Sequence, residues 1–596
     1  MTTWLTKNAQ QVLEKRYLLR TEEGEIKETP EALFKRVAMA VASAESQFGL
    51  WEHRIVELAQ VYYQAMREGK FLPNSPTLMN AGRPNGQLSA CFVLPIPDTL
   101  DGIFDSCKNA ALIHKTGGGT GFSFSNVRPM NDRVDSMAGV ASGPISFMAV
   151  FDAATEAVRQ GGIRRGANMG ILRVDHPDIE QFISCKRKLD KFNNFNISVG
   201  VTADFMSAVH HDREFALVHP KTKQVVRSLS ATNVFNAIAE NAHATGEPGL
   251  IFLDYINDLD PLYQSFNDDG TSVPGTENIE ATNPCGEQPL GPGDACNLGS
   301  INVAKFVAAH GQDFSWSELE EMVELAVRFL DDVIEANHYP MPFIATTARN
   351  NRRIGIGVMG FAEALIALRI PYNSEEAIEI AQKLMRVIQK AAHRASSELA
   401  DKRGNFPNWA SSKWAQMNKP MRNATTTAIA PTGTISIIAG TTSGIEPLFA
   451  VTFTRRVLGG MELIDVNPQF EKIARQRNFY SEELMAKIAE EGTIAHIDGI
   501  PDDVKKLFVS AHEIDWLWHL RMQAAFQAHT DSAVSKTINL PNEATVADVK
   551  NAYLKAYDLK LKGITVYRDA SRATQVLNIA RTDSQKRSCA PCGEPT

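Results

Sequence analysis

The spacing of hydrophobic positions changes along the chain. Over the first eighty or so residues it is helical: in TPEALFKRVAMAVASAE, Ala32, Leu33, Val37 and Ala40 fall on one face, Thr29 stands as N-cap and Pro30 at the first helical position. From about Asn74 short apolar segments separated by Gly-rich turns take over, as in SACFVLPIPD, KTGGGTGFSFSNVRP and GGIRRGANMGILRV, with helices between them. Such alternation predicts an α/β core with functional loops. SELEEMVELAVRFLDDVIEAN predicts a helix with a Ser317/Glu320 capping box and a stripe of Leu319, Val323, Ala326, Leu330 and Val333. A further helix is expected from Ser374, and after about Arg572 the chain thins into a polar tail, TDSQKRSCAPCGEPT.

Composition narrows the function classes. With 44% hydrophobic and 22% charged residues over 596 positions, the chain can bury a large core, and a net charge of −8 without a basic stripe speaks against nucleic acid as the main partner. The weakly charged run AGVASGPISFMAVFDAA contains Asp152 and is rich in Gly and Ser, so no membrane span is expected, and the N-terminus lacks the apolar core of a secretory signal. Seven cysteines is a sparse, odd count that fits a reducing, cytoplasmic setting rather than a disulfide framework.

TNPCGEQPLGPGDACN therefore stands out, because it places two cysteines in a stretch poor in core-forming side chains. If its first half is extended, Asn283, Cys285 and Glu287 share one face. A stiff loop inserted into a cavity explains the Pro and Gly better than a packed strand does, yet buried Cys285 beside a solvated Glu287 stays an equal alternative. For a redox role, Cys296, Cys91 and the tail pair Cys589 and Cys592 offer further thiols, whereas a zinc site built on the tail CxxC alone lacks two ligands. In APTGTISIIAG, Thr432, Thr434 and Ser436 surround Gly433, a pattern that suits phosphate oxygens or an ordinary capped helix start. Arg128, Arg164 and Arg165 lie in Gly-rich loops able to approach a nucleotide. Gly355, Gly357 and Gly360 have GxGxxG spacing, the one feature that suggests an NAD-type oxidoreductase, but NNRR precedes them instead of a buried strand.

Taken together, NSPTLMNAG, NPCGEQPL, RRIGIGVMGFAEAL, APTGTISIIAGTTSGIEP, SKTINLPNEAT and GITVYRDASR resemble the ribonucleotide reductases, most closely the adenosylcobalamin-dependent class II catalytic chains. The resemblance implies a mostly helical N-terminal region over 1–85. It further implies a ten-stranded α/β barrel over 86–572, made of two five-stranded parallel halves around a central finger loop, and a mobile tail over 573–596. It implies that Cys285 carries a transient thiyl radical, that Glu287 takes the 3′-hydroxyl proton, that Asn283 holds the sugar, and that Cys91 and Cys296 form the reducing pair. Ser75, Ala90, Gly119, Thr432, Gly433, Thr434 and Ser436 match substrate-contacting positions. Asp98, Thr99 and Arg128 match an allosteric effector site, and the loop from Gln160 to Met169, with Arg164 and Arg165, would report the effector to the active site. Cys589 and Cys592 match a thiol shuttle reset by thioredoxin or a similar reductant.

By the same resemblance the chain is a homodimeric enzyme that takes ribonucleoside diphosphates and answers to nucleoside triphosphate effectors. The only adjacent tyrosines, Tyr62 and Tyr63, lie at the wrong end for a class I radical path, and no class III glycyl-radical motif is present. No metal ligand is assigned, since the cobalt would be carried by the cobalamin. The rival classes are the NAD-type enzyme and a nucleotide-binding regulatory protein without turnover; the retained cysteines, Glu287 and Asn283 speak against the latter.

Overall fold

The computed structural model describes residues 4–571 apart from 134–139, 161–163, 189–190, 264–277, 309–310, 312, 457–461 and 570; the tail with Cys589 and Cys592 lies outside the described residues. The N-terminal helices are amphipathic, as the spacing predicts. Pro30–Ala42 is capped by Thr29, whose hydroxyl accepts from Ala32 N–H. Its buried face is Leu33, Phe34, Val37, Ala38 and Val41. Ala32 is exposed and Ala40 only half-buried, because the face is centred one position away from where four apolar residues alone would place it. The long helix Trp316–Ala336 buries the whole expected stripe. It begins at Trp316 with Ser315 at the cap and no side-chain capping bond, so the Ser317/Glu320 capping box does not form. Ser374 caps Glu375–Arg403 as expected.

Ten strands form the main sheet: β1 Phe71–Pro73, β2 Cys91–Val93, β3 Gly119–Ser123, β4 Asn168–Arg173, β5 Phe195–Val201, β6 Gly249–Phe252, β7 Ala295–Asn302, β8 Ile354–Met359, β9 Thr537–Leu540 and β10 Gly563–Arg568. Strands β2 to β6 pair in parallel, one after another. In the second half β7 pairs in parallel with β8, and β9 with β10. Between β8 and β9 runs Thr425–Ile429, which is not itself a named strand. It bridges Ile356 through Thr427 and Val534 through Ile429, both in parallel. Ala428 N–H donates to the Ile356 carbonyl at 3.0 Å and Ile429 N–H to the Ala533 carbonyl at 3.1 Å. Counting this segment, two five-stranded parallel halves meet antiparallel at β2/β7 and at β6/β10. β1 adds antiparallel to β7 and stands outside this arrangement.

A hairpin, Ala281–Thr282 with Pro289–Leu290, runs through the space these strands enclose. It touches several walls: Asn196 of β5 donates to the Pro284 carbonyl at 2.8 Å, and Ala533 N–H donates to the Glu287 carbonyl at 2.9 Å. The approach to β3 is so close that a Cβ at Gly121 would lie 1.7 Å from the Thr282 carbonyl oxygen. The glycines of GIGVMG have the same kind of use. Gly355 and Gly357 lie inside β8, where a Cβ would meet Gln288 of the hairpin or the Ala428 carbonyl, so they serve packing rather than a dinucleotide turn.

Candidate active site

At the tip of the hairpin the chain turns instead of running extended. Gly286 N–H donates to the Asn283 carbonyl at 3.1 Å, and Gly286 adopts φ +81°, which glycine takes without strain. The expected single face of Asn283, Cys285 and Glu287 is thereby broken. Asn283 and Glu287 turn into the protein, and Cys285 stands exposed at the apex. Asn283 is held from both sides: its N–H meets the Gln288 carbonyl, and its side-chain oxygen accepts from Gln288 N–H at 2.9 Å.

Cys91 of β2 and Cys296 of β7 are directly opposite one another where the two halves meet. Directly opposed residues in antiparallel strands have Cα atoms roughly 4.5–5.5 Å apart, inside the roughly 4.4–6.8 Å span of a disulfide. Both are thiols, as are the other cysteines among the described residues. Cys91 and Cys296 are 2% and 1% exposed. Burial pushes both thiols well above the ordinary range, helped by the Glu287 carboxylate at Cys91 and the Asp294 carboxylate at Cys296. They are therefore protonated at neutral pH.

The hairpin is wired to Cys91. Asn283 Nδ2 donates to Cys91 Sγ at 3.2 Å, and the Cys91 thiol lies 4.0 Å from Glu287 Oε1. Glu287 Oε2 is buried without a hydrogen-bond partner. Burial raises its carboxyl to about 7, against the lowering pull of Asn283 and its own backbone. Such a group exchanges a proton near neutrality, as a general base must. The single Cys296 S–H has two acceptors in reach, the Asn297 and Arg353 carbonyls at 3.3 and 3.4 Å. Arg353 is itself pinned by Asp260 at 2.7 Å and Asp294 at 3.1 Å.

Cys285 lines two cavities. The first, about 210 Å³, is walled by Ser75, Ala90, Cys91, Gly119, Asn283, Glu287, Thr432, Gly433 and Thr434. Ser436 is not on that wall: it is buried, with its hydroxyl 3.1 Å from that of Ser443. Thr432 holds φ +51° and accepts from Gly444 N–H at 2.7 Å, so its hydroxyl shapes the loop. A Cβ at Gly433 would meet nothing within 4 Å, which leaves its backbone open to a ligand. Ala90 uses its N–H on the Cys296 carbonyl and its carbonyl on Gly119 N–H, so a ligand can reach only the remaining lone pair of that oxygen. The second cavity, about 510 Å³, lies on the other side of Pro284 and Cys285 and is lined by Asn196, Phe449, His512, Lys536 and Asn539 among others.

Away from the hairpin, Asp98 holds Arg128 through Nε at 2.9 Å and through its backbone N–H at 3.0 Å. Thr99 caps the helix Leu100–Lys115. Arg164 and Arg165 form a two-residue strand paired with Arg159–Gln160, and their side chains lie outside the described residues.

Comparison with known proteins bears on this geometry. The family model "Ribonucleotide reductase, barrel domain" matches residues 89–420 and 416–567, and "Ribonucleotide reductase, all-alpha domain" matches residues 3–86. The chain belongs to the ribonucleotide reductase family. Among curated relatives, the vitamin B12-dependent ribonucleoside-diphosphate reductase of Thermoplasma acidophilum is 48% identical over 98% of this chain and 81% of its own length. A protein of the same name from Mycobacterium tuberculosis is 50% identical over 96% of this chain and 78% of its own. Among solved structures, the Actinobacillus ureae class Id ribonucleotide reductase alpha subunit shares the fold, with a TM-score of 0.75 at 24% identity over 96% of this chain and 98% of that one.

Several residues of this reductase that shape the site escape a reading of the sequence. Tyr17, 1% exposed, places its hydroxyl 2.8 Å from that of Ser75. Asn196 fixes Pro284, and Arg353 offers its carbonyl to Cys296. Each acts across more than fifty residues of sequence, where no local spacing marks it.

Proposed function

We propose that this ribonucleotide reductase converts ribonucleoside diphosphates to 2′-deoxyribonucleoside diphosphates with adenosylcobalamin as radical source. The observation that carries the reading is the placement of Cys285 between two cavities, with Glu287 and Cys91 on the wall of only one of them and Cys296 directly behind Cys91 on the facing strand. Substrate takes the smaller cavity, its phosphates at Thr432–Thr434 and its sugar near Asn283.

The cofactor's reactive group takes the larger cavity, whose size falls in the roughly 300–1,000 Å³ range of small-molecule sites. Asn539 on its wall offers an amide suited to a nucleoside moiety. When bound, adenosylcobalamin supplies a carbon-centred radical able to take the hydrogen atom of a thiol. Substrate and cofactor together close Cys285 off from water.

Cys285 as thiyl then takes the 3′ hydrogen atom, and Glu287 accepts the 3′-hydroxyl proton. The 2′ oxygen leaves as water with a proton from the Cys91/Cys296 pair. Two electrons and the pair's second proton pass to the sugar, forming the new C2′–H bond as the pair closes to a disulfide; Glu287 then returns its proton to the 3′ oxygen and Cys285 its hydrogen atom to C3′. Cys589 and Cys592 reopen the disulfide by exchange and are reset by thioredoxin or a similar dithiol. The protonated state of Cys91 and Cys296 supports their part as proton donors.

Nucleoside triphosphate effectors bind around Asp98, Thr99 and Arg128 and select the substrate through the loop ending at Met169. The chain acts as a homodimer; Leu100 and Phe104, 65% and 52% exposed on the helix beside that site, suit such an interface. The test is an anaerobic assay with a dithiol, each of the four ribonucleoside diphosphates, and either adenosylcobalamin or a metal-containing second subunit. Turnover with the cobalamin alone supports the proposal. A requirement for the second subunit, with cobalamin inert, overturns it.

A further inference from the structure

We propose that His114 is a positioning residue that couples the effector region to substrate choice. The proposal rests on the effector reading above and names a residue within it. The helix Leu100–Lys115 is a rod about 24 Å long. Thr99 caps one end, beside the Asp98–Arg128 pair. His114 closes the other end, directly before Gly117–Gly119 on the wall of the smaller cavity.

His114 is 2% exposed, and its ring begins a chain of buried polar contacts whose directions are fixed. Asn168 donates through Nδ2 to Thr155 Oγ1 at 2.9 Å and to the Asn194 carbonyl at 3.2 Å, which turns its Oδ1 toward β3. Thr120 donates its one hydroxyl proton to that oxygen at 2.8 Å. Thr120 can therefore only accept from His114 Nε2, 2.9 Å away, so the imidazole carries its proton on Nε2. Burial holds the ring down to about 4, so it is neutral at physiological pH. Thr155 completes the chain on the Phe151 carbonyl, within the neighbouring helix Gly143–Ala157.

The ring also touches the backbone that leads to both cavities. A Cβ at Gly166 would lie 2.8 Å from Cγ and Nδ1 of the imidazole, so Gly166 packs directly against the ring. The next residue, Ala167, lines the smaller cavity, and Met169 lines the larger. A displacement of the helix thus shifts Thr120, Asn168 and Gly166–Ala167 together, because each is tied to the next by a buried hydrogen bond or by direct packing on the ring. None of these groups is in the catalytic set, which makes the coupling separable from turnover.

The experiment compares the wild type with His114→Leu, His114→Gln and Thr120→Val. The quantity measured is the change in kcat/KM ratio between two ribonucleoside diphosphates on adding each deoxynucleoside triphosphate. Allosteric coupling is typically worth roughly 5–150-fold, and His114→Leu and Thr120→Val are expected to lose about tenfold or more of it. Effector affinity by equilibrium dialysis and effector-free turnover should stay close to wild type. His114→Gln, whose amide N–H reaches as far as Nε2, should recover most of the response. If Leu fails to fold, the near-isosteric Thr120→Val decides alone.

Wild-type ratios in both disrupting variants, or a loss of effector-free turnover equal to the loss of response, would overturn the proposal. If the wild type does not respond to any effector, the effector reading falls and the proposal with it. If the response is abolished by Asp98→Ala but intact in both disrupting variants, only the role of His114 falls.

Discussion

Exchanging Glu287 for glutamine should remove activity and at the same time stabilise the protein at alkaline pH. The carboxyl is fully buried and raised from 4.5 to about 7. Between those values the folded chain keeps a proton that the unfolded chain has lost. The group's stabilising contribution is therefore complete below about 4.5 and is lost as pH rises through about 7. At 1.36 kcal/mol per pH unit this amounts to about 3 kcal/mol in all, and to about 2.5 kcal/mol between pH 5 and pH 8. Glutamine fills the same space and does not titrate. The stability difference between Glu287→Gln and wild type should thus move by about 2.5 kcal/mol in the variant's favour from pH 5 to pH 8, or about 2 °C in melting temperature for a chain of this size. Taking variant minus wild type at each pH cancels every other titrating group. Loss of a general base should lower turnover by about 100-fold or more, and wild-type kcat should fall as pH drops through about 7. A stability difference that is the same at pH 5 and pH 8 would refute the assignment of this perturbed carboxyl. Glutamine turnover near wild type would refute its role as base.

Other substitutions probe the remaining parts of the site. Cys285→Ser should abolish turnover with every reductant while leaving nucleotide binding, measured by equilibrium dialysis, intact. Cys592→Ser should slow steady-state turnover when thioredoxin is the reductant and spare it with a small dithiol; equal loss under both would count against the tail as shuttle. Tyr17→Phe removes one hydroxyl contact to Ser75, worth about 0.5–1.5 kcal/mol, and should raise substrate KM by about 2–10-fold with little change in kcat. Gly121→Ala puts a Cβ into the Thr282 carbonyl and should displace the hairpin, seen as lost activity with a lowered melting temperature.

How much of this was legible beforehand depends on the range over which each residue acts. Helix faces are local, so the stripe from Leu319 to Val333 reads directly from spacing, and Thr29 and Ser374 read as caps from their side chains. The cap falls at Ser315 rather than Ser317; Ser317 and Glu320 offer the same signature two residues further on, already inside the helix. Pro284 and Gly286 marked a stiff loop, but not that Gly286 would turn left-handed and send Cys285 away from Asn283 and Glu287. The closing segment Thr425–Ile429 is too short and polar to read as a strand, and it becomes one wall of the fold only through partners at Ile356 and Ala533. Family resemblance supplied Cys91 and Cys296 as a pair; their opposition across β2 and β7 is a long-range fact that no spacing contains. Tyr17 and Asn196 are invisible for the same reason, since each contributes one polar atom to a partner chosen by the fold.

The most direct measurement is a single anaerobic turnover of the Cys592→Ser chain, pre-reduced and freed of dithiol, with adenosylcobalamin and one ribonucleoside diphosphate, followed by peptide mapping of the disulfides. The account predicts one Cys91–Cys296 disulfide for each deoxynucleotide formed, and neither product nor disulfide when Cys285 is also replaced by serine. Deoxynucleotide formed without oxidation of that pair, or with Cys285 absent, would contradict it.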